Sequence, residues 1–94
     1  KEKNIYVINS SILLDDIVDE FELELSHIGI DEKEFGSETV SYMITHKLER
    51  FPKKWEEICF FIYDDEGIKT REKLCFTILE IEDSAIGTVE VKRK

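Results

Sequence analysis

No run of about 18 apolar residues occurs anywhere in the chain, so no segment is expected to cross a membrane as a helix. There is no glycine-rich phosphate loop, no Cys-x-x-Cys and no His-Glu-x-x-His, which removes the common nucleotide and zinc motifs. The soft metal ligands are Cys59, Cys75, His27 and His46. Zinc needs three or four such ligands placed together, and nothing in the spacing gathers both histidines beside the cysteines, so no metal and no cofactor is expected. Both cysteines fall in strand-like runs and read as reduced core thiols rather than a disulfide. Positive charge is scarce: 13 Lys and Arg stand against 22 Asp and Glu, a net charge of −9. That makes nucleic acid an unlikely partner, because phosphate neutralisation drives such binding. Lys1-Glu2-Lys3-Asn4 precedes only a short apolar stretch, so no secretory signal is expected and a cytoplasmic location is the default.

What is present supports one folded domain of 94 residues, 41% hydrophobic and 11% aromatic. Its centre is Trp55–Ile81. Two runs rich in β-branched and aromatic residues flank Asp64-Asp65-Glu66-Gly67, a hairpin signal in which Gly67 takes a left-handed conformation. In the register of a three-residue loop, Cys59 lies near Lys73. Period-2 alternation puts Ile58, Phe60, Ile62, Leu74, Phe76 and Ile78 on a core face. The other face carries Trp55, Cys59, Phe61, Tyr63, Lys69, Arg71, Lys73, Cys75, Leu79 and Ile81.

Asn4–Ile8 reads as a strand, and Asn9-Ser10-Ser11 as a turn offering N-caps. Leu14, Ile17, Val18, Phe21, Leu25 and Ile28 form a helical stripe that predicts a helix over 12–28, closed by Gly29; the alternation Phe21-Glu-Leu-Glu-Leu25 leaves a strand over 21–28 as the alternative. Asp31–Glu34 predicts a single turn. Val40, Met43, Ile44, Leu48 and Phe51 predict a second helix from Ser37 to Phe51, capped by Ser37 and stopped by Pro52. Asp83-Ser84 is a turn and Gly87–Val91 a last strand. The fold class is α+β: β-α-α-β-β-β, an antiparallel sheet with two helices packed on one face.

Ile8-Asn-Ser-Ser-Ile12 resembles the amino-terminal strand of a viral and mobile-element family of cyclic-oligonucleotide nucleases that act as anti-CRISPR proteins. That family's Gly-His pair before a helix is Gly36-Ser37 here, so the catalytic histidine is missing and the activity does not carry over. No carboxylate pair sits in an apolar setting suited to acid–base work, and the chain reads as a non-enzymatic interaction module.

Three surfaces are candidates. Asp15, Asp16, Asp19, Glu20 and Glu22 would form an acidic helix face, with Asp15, Asp19 and Glu22 in one row. That face suits a basic protein partner, or mimicry of a nucleic-acid backbone by an inhibitor. The uneven charge supports it: residues 1–40 hold eleven acids against three bases, a net of −8. Lys69, Arg71 and Lys73 beside Phe61 and Tyr63 suggest a second, alternative surface that would stack and hold single-stranded nucleic acid; lysine stems covering exposed rings is the plainer reading. Third, Trp55, Phe61, Tyr63, Cys75, Leu79, Ile81, Val89 and Val91 share a parity that would leave the second sheet face apolar. Stacking two copies through Trp55, Phe61, Tyr63, Leu79 and Ile81 would cover it, so a homodimer is expected.

Overall fold

The computed structural model describes residues 4–94. In chain order the elements are β1 (Ile5–Asn9), α1 (Leu14–Glu20), a 3-10 turn (Leu25–Ile28), α2 (Glu32–Phe35), α3 (Val40–Leu48), β2 (Glu57–Tyr63), β3 (Lys69–Ile78), β4 (Ile81–Glu82), β5 (Ala85–Ile86) and β6 (Thr88–Arg93). Four strands form one antiparallel sheet in the order β1-β6-β3-β2. The class is therefore the α+β arrangement read from the sequence, with helices covering one sheet face. β4 and β5 form a small hairpin at the tip between β3 and β6. Its two turn residues, Asp83 and Ser84, both have positive φ, as the type I′ form of a two-residue hairpin turn requires.

The core lies between the sheet and the helical layer. Leu14, Ile17 and Val18 of α1, Phe35 of α2, and Val40, Met43 and Ile44 of α3 are buried against Leu74, Phe76, Ile78, Val89 and Val91. Ser10 is the buried polar residue at its margin. Its hydroxyl donates to Ile86 O at 2.6 Å and its N–H to Gly87 O at 2.8 Å, while its carbonyl accepts from Ser41 N at 2.9 Å. It therefore ties three segments together instead of capping a helix. At the α3–β2 connection, Arg50 holds Glu56 in a two-pronged ion pair, and this hydrogen bonding lowers the Glu56 carboxyl below its usual range.

Three element boundaries differ from the sequence reading. The region 12–28 is neither one helix nor a strand. α1 ends at Glu20, Glu22 takes φ 61°, and Leu23 N donates to Val18 O at 3.2 Å. This is a six-to-one closure of the Schellman kind. The reason is Leu23: in a continuous helix it would lie off the apolar stripe, whereas after the break Phe21, Leu23 and Leu25 are all buried. The stripe residues still enter the core, and Gly29 has the left-handed φ of 73° expected of it. α3 starts later than read, at Val40. Residues 37–39 are held by a bridge between Leu13 and Thr39, and Thr39 rather than Ser37 supplies the cap, accepting from Tyr42 N at 3.0 Å. It also ends early, at Leu48, where Glu49 turns left-handed, so Phe51 lies outside the helix and is exposed.

The hairpin register differs too. Asp64 N donates to Ile68 O at 2.9 Å, which gives the three-residue loop read from the sequence. Farther along, a bulge sets Lys69 through Lys73 of β3 against only Phe61 through Tyr63 of β2. Thr70 makes the bulge: its hydroxyl donates to Ile62 O at 2.7 Å and accepts from Glu72 N at 3.1 Å, replacing ladder hydrogen bonds. The shift of two preserves the faces but places Cys59 opposite Cys75 rather than near Lys73. The two sulfurs are joined, which overturns the reading of reduced core thiols.

Candidate functional site

The sheet's outer face and the exposed side of α1 carry opposite charges. On α1, Asp15, Asp16, Asp19 and Glu20 are all exposed, as is Glu22 just beyond it. None of the five joins an ion pair among the described residues. Because α1 stops at Glu20, Glu22 leaves the row expected with Asp15 and Asp19, and the acidic surface is a patch of helix plus turn.

On the sheet's outer face, Lys69, Arg71 and Lys73 are exposed along β3. The ammonium groups of Lys69 and Lys73 lie 4.2 and 5.1 Å from the centre of the Phe61 ring. Both cations therefore roof this ring, as snorkelling side chains do, and Phe61 does not stand free as a stacking platform.

The apolar outer face does not form as read. Val89 and Val91 are fully buried in the core, opposite Ile78 and Phe76. Trp55 precedes β2, Leu79 follows β3 and Ile81 belongs to the tip hairpin, whereas Tyr63 ends β2 at the other end of the sheet. Six residues of extended chain separate Glu57 from Tyr63, about 20 Å, and Trp55 lies in the turn before Glu57. Of the central outer positions, Lys73, Thr77, Glu90 and Lys92 are polar, and Cys75 is tied to Cys59. The proposed stacking face is thus split, and its main motive falls away.

A groove lies between the 3-10 turn and the Asp64–Gly67 loop, with His27, Tyr63 and Asp65 along it. His27 Nδ1 accepts from Glu24 N–H at 3.0 Å, so Nε2 carries the proton it shares with Asp65 Oδ1 at 2.6 Å. Both ring nitrogens are thus engaged, and no hydroxyl or thiol among the described residues bonds to the ring. His46 packs edge-on against Phe35 and reaches Glu34 at 3.8 Å. Neither histidine is arranged as a general base. One cluster was not foreseen: Glu57, Cys59 and Cys75 bring their ligand atoms within 4.8 Å of one another. Glu57 sits two residues before Cys59 on the same face, a spacing visible in the sequence once the cysteines are set opposite each other.

No helix among the described residues is long and apolar enough to cross a membrane. Among solved structures, the chain is similar to a CorC_HlyC domain from Corynebacterium glutamicum, with a TM-score of 0.79, 16% identity, and 100% of this chain and 95% of that one covered. A CorC_HlyC domain from Haemophilus ducreyi has a TM-score of 0.66 and 18% identity over 100% of this chain and 93% of that one. A domain from Streptococcus mutans UA159 has a TM-score of 0.62 and 15% identity over 100% and 95%. No curated protein matches the chain. At these identities the structures establish the fold alone, while the CorC_HlyC family model, described as a transporter associated domain, matches residues 1–94. The chain belongs to the CorC_HlyC family of transporter associated domains.

Proposed function

We propose that this domain is a non-enzymatic interaction module that docks its acidic α1 surface on a basic surface of the transporter it accompanies. The observation that carries this reading is the set of five exposed carboxylates, Asp15, Asp16, Asp19, Glu20 and Glu22, without a counter-ion among the described residues. Unpaired acids on one side steer a basic partner and set its orientation more than they add raw affinity. The family's description as transporter associated supports a transporter as the protein that presents the basic surface.

The test is co-purification of the domain with its transporter. Asp15→Lys, Asp19→Lys and Glu22→Lys together should abolish capture while circular dichroism shows the fold retained. A charge-matched control, Glu32→Lys, Glu66→Lys and Glu82→Lys, should leave capture in place. Undiminished capture by the α1 variant would overturn the reading, as would equal loss in both, which would report net charge alone. Capture abolished by nuclease treatment would point instead to nucleic acid on the Lys69, Arg71 and Lys73 surface.

A further inference from the structure

Cys59 and Cys75 face each other across β2 and β3 with their Cα atoms 4.0 Å apart, on the solvent side of the sheet. Cys59 is exposed while Cys75 is 1% exposed, so solvent reaches the pair from the Cys59 side. Glu57 points from the same side of the same strand, and its carboxylate oxygen completes the 4.8 Å cluster. Glu57 Oε2 accepts from Lys94 Nζ at 2.6 Å, while Oε1 has no protein donor among the described residues.

We propose that Glu57, Cys59 and Cys75 form a site for one thiophilic divalent cation of the zinc class, open when the cysteines are reduced and closed when they are joined. Two sulfurs and one carboxylate oxygen suit zinc, and three protein ligands leave the fourth tetrahedral position for water. Opposed cysteines on paired strands hold both sulfurs near one point, within reach of Zn–S bonds of about 2.3 Å. Opening the site takes two electrons: a dithiol reductant is oxidised to its disulfide, and the Cys59–Cys75 bond becomes two thiols. Binding then releases two protons as both thiols become thiolates. Two thiolates, one carboxylate and Zn²⁺ leave a net charge of −1. Lys92, opposite Cys75 in the β3–β6 register, and Lys94, beside Glu57, supply compensating charge.

The experiment titrates Zn²⁺ into the reduced and the oxidised domain, under anaerobic conditions, against a chromogenic indicator of micromolar affinity. The reduced domain should withdraw one equivalent and the oxidised domain none. Cys59→Ser and Cys75→Ser should each weaken binding at least a hundredfold and Glu57→Gln at least roughly tenfold, since even partners that only orient a metal ligand are worth about 10–100-fold. Far-UV circular dichroism of the Cys59→Ser variant, altered at an exposed position, checks that the sheet persists. A thiolate-to-cadmium charge-transfer band on adding Cd²⁺ to the reduced domain would show sulfur ligation directly. No withdrawal of zinc by the reduced domain would overturn the site. So would undiminished binding by either serine variant, or by Glu57→Gln.

Discussion

Thr70 decides which residues of the hairpin meet. Its hydroxyl donates to Ile62 O and accepts from Glu72 N, and the bulge it stabilises shifts the register by the two residues that bring Cys59 opposite Cys75. Thr70→Val keeps the shape and the β-propensity but removes both hydrogen bonds. Destabilisation of about 1–3 kcal/mol is expected, since a half-buried carbonyl and an N–H lose their partner. Urea unfolding of the reduced protein measures it without a contribution from the disulfide. The variant should also re-form the disulfide more slowly than wild type during refolding, because the unbulged register offers Lys73 to Cys59. Unchanged stability together with unchanged disulfide formation would mean that the bulge is set elsewhere.

At the scale of elements, α1 is the least favoured by its own sequence. Asp15 opposes Asp19 and Asp16 opposes Glu20 at i, i+4, and two carboxylates stand at the negative end of the helix with no basic residue in the last turn. Asp19→Lys with Glu20→Lys converts both repelling pairs into attracting ones, with acid N-terminal to base, and suits the helix C-terminus. Together they should raise stability by about 1–2 kcal/mol, read as a higher urea midpoint at low salt and a smaller gain at high salt. A domain that gains stability this way while losing its transporter would show the trade expected of a functional surface. The same element shows what was legible in the sequence. The apolar stripe from Leu14 to Ile28 named the right core residues, because burial follows composition. It misnamed the backbone, because one residue, Leu23, needed a break to reach the core. The parity of β6 was also available: a two-residue Asp83-Ser84 turn pairs Ile78 with Val89 and sends both inward. The Cys59–Cys75 pairing was not, since it depends on a bulge made by a single threonine hydroxyl. Without that pairing Glu57 could not be seen as a third ligand.

The whole molecule is a thin two-layer slab, with extents of 41 × 31 × 19 Å. Its accessible surface of 6059 Å² is close to the roughly 5,700 Å² expected for a folded monomer of its mass. Among the described residues, the uncovered sheet face has its larger apolar side chains toward its edges, Ile5 and Val7 on β1, the latter 59% exposed, and Phe61 on β2 under Lys69 and Lys73, with the Cys59–Cys75 pair between β2 and β3. Between them Glu90 and Lys92 of β6 and Lys73 and Thr77 of β3 form a polar middle. Stacking two copies through this face would bury those charges, and unpaired buried charge costs several kcal/mol per ion. A stable twofold interface needs about 800 Å² from each partner, more than the two apolar edges supply. The domain alone is therefore expected to sediment as a monomer of 11.1 kDa at tens of micromolar. A dimer at that concentration that Leu79→Glu disperses, with the helical signal intact, would restore the stacked arrangement. A dimer dispersed instead by Val7→Glu would place the contact on the β1 edge. A monomer in both the reduced and the oxidised state would also show that the cysteine pair acts within one chain.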